Sequence, residues 1–282
     1  MEIQVGDDYW KFDLKGQGHH LLIALHGYGQ DATAFRYLTP GFEDQYTIVL
    51  VDLAYHGQQA NMRAGLLFNK AYAQLWLETL LRALNKRKAG LLGFSIGARV
   101  ALFIASVAPM HIRELWLIAP DGLPVSPIYR FLTSTKPGVL LFSSFVEKPW
   151  LARFLVRTGL LIRLLNQQTG NYFLKEIETK TRRQHLFNTW SCYRLALPEF
   201  SALSQLNTDG RLSVFAILGT RDAIIPFKKT KRALKRVLPQ AILLAPELGH
   251  NLLSEKASRI LQELIRHKKS DQKPLKQTLD TD

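Results

Sequence analysis

Leu91-Leu92-Gly93-Phe94-Ser95-Ile96-Gly97-Ala98-Arg99-Val100 is the stretch on which the fold reading turns. An apolar run enters it, an Ala-rich run from Ile96 to Val107 leaves it, and G-x-S-x-G joins the two. Leu91 to Gly93 reads as a buried strand and Ile96 to Val107 as a helix. A sharp strand-to-helix turn pushes the Ser95 hydroxyl out above a sheet, and small residues on either side let the backbone pass closely. The helix N-terminus beneath it favours developing negative charge. The Ile96 N–H is then one oxyanion donor. The bland alternative is a serine that merely caps a helix.

Outward from this turn the pattern repeats. Leu21 to Leu25, Thr47 to Val51 and Leu115 to Ile118 are short apolar runs, and Tyr72, Leu75, Trp76, Leu80 and Leu84 recur at helical spacing. Continuous rather than alternating apolarity suits parallel strands covered on both faces. Ile3 to Val5 and Tyr9 to Leu14 flank Gly6-Asp7-Asp8 and suggest a hairpin. Past Pro120 the strand pattern stops, and helical stretches rich in apolar residues and arginine fill the chain to about Phe200. Strand-like runs resume at Leu212 to Leu218 and Ile242 to Leu244, each followed by a helical run, at Lys228 to Val237 and Lys256 to His267. The expectation is an α/β fold: a mostly parallel central sheet, helices on both faces, and a helical insertion after the sixth strand. The core takes residues 1–120 and 201–270, the insertion 121–200, and the polar residues 271–282 read as a disordered tail.

A nucleophilic serine needs a base, and the base an orienting acid. Asp222 ends Leu218-Gly219-Thr220-Arg221-Asp222 after one strand-like run, and His250 lies in Glu247-Leu248-Gly249-His250-Asn251 after the last. His26-Gly27-Tyr28-Gly29 follows Leu21 to Leu25, and its tight turn aims the Tyr28 N–H at the same oxyanion. Asp121, at another strand end, is a competing acid. His26 reads better as a structural histidine than a catalytic one, though it stays a candidate substrate contact. Asp52 and His56 read as loop organisers, His185 as a surface histidine that could instead line the pocket, and Cys192 as a packed small residue.

These pieces, LHGYG, VDLAYHGQ, GFSIGARVAL, LGTRDAIIP and ELGHNLL, span nearly the whole chain. The sequence resembles the α/β-hydrolase superfamily, specifically its capped members with a short HGxG oxyanion loop. The resemblance implies Ser95 as nucleophile, His250 as base, Asp222 as acid, and Tyr28 and Ile96 as oxyanion donors. It implies an acyl-enzyme reaction on a carboxylic ester or thioester with no metal or organic cofactor. One departure is Ala98, where many members carry a further glycine. Arg99, four residues after Ser95, is similar to the Ser-x-x-x-Arg elbow of members that eliminate pyruvate in menaquinone synthesis. That resemblance implies a lyase on a carboxylated substrate, with Arg99 binding a carboxylate; a structural ion pair is the simpler reading. A dinucleotide fingerprint, Gly27-x-Gly29-x-x-Ala32 with Asp52 about 20 residues on, competes as well. It leaves Ser95, Asp222 and His250 unexplained.

Lys and Arg number 37 against 23 for Asp and Glu, a formal net charge of +14. Cys192 is the only cysteine, which excludes an intramolecular disulfide framework and a Cys-based zinc cage. No nucleic-acid motif accompanies the charge, so nucleic acid is not an expected partner. No secretory leader or spanning segment is visible, and the expectation is a cytoplasmic protein. One positive cluster lies on the helical run from Lys228, read as a solvated helix face. Another lies at Arg153, Arg157 and Arg163, between Leu151, Phe154, Leu155, Ile162 and Leu165. Two readings stand there: an apolar stripe covering an acyl pocket, with Phe154 touching substrate, or a segment lying on an anionic membrane. Lid packing is the commoner explanation, with a bend or break at Thr158-Gly159.

Overall fold

The hairpin expected at the N-terminus forms from β1 (Glu2–Val5) and β2 (Asp8–Lys15), antiparallel across Gly6. β2 also pairs antiparallel with β4 (Tyr46–Val51). All other pairings are parallel and join β3 (His20–Leu25), β4, β5 (Ala89–Phe94), β6 (Ile112–Ile118), β7 (Ser213–Ile217) and β8 (Ile242–Leu244). The order across the sheet is β1-β2-β4-β3-β5-β6-β7-β8. The computed structural model describes residues 1–123, 125–259 and 261–262.

The apolar runs lack alternation because both sheet faces are covered. Leu21, Ile23, Leu91, Leu115, Leu117 and Val214 belong to one core cluster, with Trp76 and Leu80 of α1 (Lys70–Ala83) and Phe103 of α2 (Ile96–Val107). Their sequence neighbours Leu22, Ala24, Leu92, Trp116, Ile118 and Phe215 belong to the other, with Phe35, Phe42 and Leu252. Period-two side-chain geometry splits each run between two cores.

Register decides where the loops emerge. Leu25 pairs with Gly93, Phe94 with Ile118, Ile118 with Ile217, and Ile217 with Leu244. The C-terminal ends of β3, β5, β7 and β8 therefore lie in one row. The loops carrying Tyr28, Ser95, Asp222 and His250 leave the sheet along that edge, where ligands bind in open α/β sheets.

Among the described residues, five helices fill the insertion that follows β6: α3 (Pro127–Ser134), α4 (Lys136–Glu147), α5 (Pro149–Leu161), α6 (Gln167–Glu176) and α7 (Lys180–Cys192). Ser126, Thr135, Asn166 and Thr179 cap four of them with side-chain oxygens, and proline opens the first three. A small cluster of Phe142, Ala152, Ile177 and Leu186 holds them together. α8 (Phe200–Thr208) returns to the sheet domain and buries Leu203 there. α9 (Phe227–Val237) buries Thr230, Ala233 and Leu234 and turns Lys228, Lys229, Arg232, Lys235 and Arg236 to solvent, the solvated face expected. Residues 255–259 begin the expected last helix; its end and the tail at 271–282 lie outside the described residues.

Two expectations about α5 require correction. The helix passes through Thr158 and Gly159 without a break and closes after Leu161, where Leu165 N–H donates to Gly159 O at 2.9 Å. Gly159 is buried because Leu165 packs on it. The apolar stripe is also not packed: α5 buries only Ala152 and Gly159, while Phe154 is 60% exposed. Periodicity marked a face correctly but said nothing about what it meets.

Candidate active site

Ser95 leaves β5 with φ 53° and ψ −119°, a conformation that costs a non-glycine residue about 1–3 kcal/mol. Its N–H donates to Ile118 O at 2.9 Å, which fixes the turn to the neighbouring strand. The flanking glycines are sterically required. A Cβ on Gly93 would lie 2.4 Å from Ala98 Cα, and one on Gly97 would lie 2.0 Å from Leu25 O. Ala98 fits, fully buried. Ser95 makes no side-chain capping bond to α2, so the simple N-cap reading fails.

The Ser95 Oγ instead faces His250 Nε2 at 3.2 Å. His250 Nδ1 meets Asp222 Oδ2 at 2.8 Å. The other carboxylate oxygen, Oδ1, accepts from the N–H groups of Ile224 and Ile225, both at 2.8 Å. Asp222 is buried, and its loop is pinned by these two bonds, so its lone pairs point at the imidazole. The Phe94 ring packs 5.2 Å from that of His250. Asp121, the competing acid, touches Ser95 through its backbone, its N–H donating to Ser95 O, but its carboxylate is turned to Arg99 Nε at 3.5 Å.

The loop after β3 supplies the facing wall. Gly27 N–H donates to Gln30 Oε1 at 3.0 Å and Gly29 N–H to His56 Nε2 at 3.1 Å, which brackets Tyr28. Among the described hydrogen bonds, the N–H groups of Tyr28 and Ile96 have no acceptor. Asp52 accepts from Ala32 N–H at 2.6 Å and Gln58 N–H at 2.7 Å and ties two loops together. Those bonds consume the carboxylate that a ribose would need. A short 3₁₀ turn, Ala32–Phe35, replaces the helix a pyrophosphate would need. The dinucleotide reading is thereby overturned.

Three candidate substrate contacts also move. His26 is fully buried; its Nδ1 bonds Gly27 O at 2.7 Å and its Nε2 accepts from Leu53 N–H at 2.9 Å. Both nitrogens are committed to loop structure, and burial lowers its pKa. Arg99 is 1% exposed, with its guanidinium 4.0 Å over the Tyr129 ring and beside Asp121. This is the ion pair that the simpler reading expects. Phe154 stands in solvent on the outer side of α5.

His185 is not a surface histidine. It packs its ring 4.4 Å from that of His56 and bonds Tyr28 Oη through Nδ1 at 3.1 Å. Tyr28 Oη also donates to Glu176 Oε2 at 3.3 Å. Helices α6 and α7 thus grip the Tyr28 side chain. Burial lowers the pKa of His185 and brings that of His56 to about 3, so both are neutral at pH 7. Asn166, at the start of α6, donates to Ala223 O beside Asp222 at 2.8 Å. Sequence reasoning missed Glu176 and Asn166. The one available signal was that Glu176 is a rare acid in a basic insertion. Cys192 is buried with its thiol pKa pushed up to about 12 by desolvation, and takes no part.

Sheet order, strained elbow and the row of post-strand loops define the class. The chain matches the α/β hydrolase fold family over residues 20–257 and belongs to it. It is 34% identical over 272 residues to the magnesium-chelatase 30 kDa subunit of Rhodobacter capsulatus, a match spanning 92% of this chain and 89% of that one. It is 26% identical over 256 residues to the dihydrolipoyllysine-residue acetyltransferase component of the acetoin cleaving system of Pseudomonas putida. That match covers 90% of this chain and only 65% of the longer relative. A thermophilic esterase from Thermogutta terrifontis is similar in fold, with a TM-score of 0.66 at 21% identity over 96% of this chain and 98% of that one.

Proposed function

We propose that this chain, an enzyme of the hydrolase class, cleaves a carboxylic ester or thioester through an acyl-enzyme on Ser95. The observation that carries this reading is the unbroken relay from Ser95 Oγ to His250 at 3.2 Å and from His250 to Asp222 at 2.8 Å. His250 Nε2 takes the Ser95 proton as Oγ bonds to the carbonyl carbon. The N–H groups of Tyr28 and Ile96 hold the oxyanion. The carbon–oxygen or carbon–sulfur bond then breaks, and His250 gives its proton to the leaving group. Water, deprotonated by His250, releases the acid and restores Ser95. Asp222 keeps the proton on His250 Nδ1 and stabilises the imidazolium. No step calls for a metal or an organic cofactor.

Ser95→Ala is expected to lower kcat by about 10⁴-fold or more and to abolish labelling by a fluorophosphonate. Normal turnover of p-nitrophenyl esters by that variant would end the proposal. A series of p-nitrophenyl esters and acyl-CoA thioesters of graded length would define the acyl preference. The lyase reading loses its support once Arg99 is committed to Asp121 and Tyr129. A second reading draws on the 34% identity to the magnesium-chelatase subunit: the chain assists a magnesium-inserting enzyme. Copurification with such an enzyme, retained by Ser95→Ala, would favour it.

A further inference from the structure

α5 is amphipathic in the wrong direction for a lid helix. Trp150 is 65% exposed and Leu161 83%, and with Phe154 they lie along one side at spacings of four and seven. Arg153, Arg157 and Thr158 complete a shallow groove with those three side chains. The turn that follows continues the face, with Ile162 and Leu164 both exposed. Arg163 between them holds φ 57°, a left-handed conformation that costs an L-residue about 1–2 kcal/mol. That turn sends two aliphatic side chains into solvent on either side of an arginine.

The charge here has one sign. Between Lys148 and Lys175 the sequence contains no Asp or Glu, but it has Arg153, Arg157 and Arg163. The ion pairs of the insertion, Lys180–Glu147 and Arg182–Glu178, lie on other segments. Among the described residues these three arginines have no carboxylate partner. A soluble monomer rarely leaves so much apolar surface in one place. Tryptophan and leucine at the tips, with arginine between them, match a helix lying in a bilayer interface. There aromatic rings sit at headgroup depth and guanidinium groups meet lipid phosphates.

We propose that the outer face of α5 and the Ile162–Leu164 turn dock this protein on an anionic phospholipid bilayer. The 13 residues of α5 make a rod about 20 Å long, and no described helix is long and apolar enough to cross a membrane. The attachment is therefore peripheral, with the helix axis along the surface. Self-association fits less well, because a second copy would bring the same arginines against these. The chain's own residues 263–282 carry five Lys and Arg against four Asp and Glu, no net negative charge to complement the face.

The test is flotation of the full chain with vesicles of phosphatidylcholine alone and of phosphatidylcholine mixed with phosphatidylglycerol. Trp10, Trp76 and Trp116 are buried and Trp190 half-buried, so Trp150 dominates any change in emission. Expected results are flotation only with phosphatidylglycerol, a blue shift of Trp150 fluorescence, and loss of both at high salt. Arg153→Gln with Arg157→Gln should weaken partitioning roughly 30-fold, five- to six-fold per charge. Leu161→Ser should weaken it too, and Trp150→Ser should remove the blue shift. All four side chains are exposed, so the variants keep the wild-type melting temperature. No flotation with either vesicle, or flotation unchanged in the variants, overturns the proposal. So does a dimer, or a complex with an acidic protein, that depends on these residues while vesicles fail to bind. Ester turnover is not the readout, and the catalytic proposal stands or falls separately.

Discussion

Ser95, at φ 53° and ψ −119°, shows how closely this site is built at single residues. The neighbouring glycines admit the backbone, and each has an identifiable obstacle where a Cβ would go. Gly97→Ala would drive a methyl into Leu25 O and His26 O, backbone atoms at the root of the Tyr28 loop. The expected outcome is a loss of about 3 kcal/mol in urea unfolding, with hydrolase activity falling further than stability accounts for. The elbow was legible because glycine and serine at fixed spacing answer a local steric problem. Asp222 and His250 were legible because each closes a strand-like run with a turn. Glu176 and Asn166 were not, because their partners lie 148 and 57 residues away and no local pattern announces a long-range contact.

At the scale of elements, the strands and the two long core helices were readable throughout. α2 and β8 fall at the bounds the sequence suggests, and β3 differs by one residue. Burial on both sides leaves an unbroken apolar signature that needs no tertiary knowledge. The insertion was readable only as helical. Its helices meet the sheet domain at points that include hydrogen bonds at Tyr28, Phe68 and Ala223, and hydrogen bonds between distant residues leave no periodicity. Tyr28→Phe keeps the backbone donor but removes the bonds to Glu176 and His185. Hydrogen exchange across α6 and α7 should speed up, and stability should fall by about 1 kcal/mol. Fluorophosphonate labelling of Ser95 should persist. Unchanged exchange in those helices would mean that Tyr28 does not tether them.

For the whole molecule, burying histidines makes stability depend on pH. His56 titrates at about 3 against an ordinary 6.5, chiefly from desolvation, and His26 is lowered for the same first reason. Above pH 6.5 both are neutral folded or unfolded, and their burial adds no penalty. As pH falls below 6.5 the unfolded chain takes up protons that the native chain refuses. Between pH 6.5 and about 3, His56 removes about 1.4 kcal/mol of stability per pH unit, and His26 acts in the same direction. His56→Gln should flatten the decline between pH 6 and pH 4 by about one proton, measured as urea unfolding free energy against pH. An unchanged slope would show that His56 is protonated in the native state.

The strained serine has a consequence for how such a chain drifts. Glycine would rest comfortably where Ser95 is held, so folding alone would reward the loss of the hydroxyl. A lineage with no use for the reaction would find glycine there an easy and even welcome replacement. The serine is thus a residue that foldability argues against. Its presence, with His250 and Asp222 hydrogen-bonded in line behind it, is what the proposed acyl-enzyme chemistry would preserve.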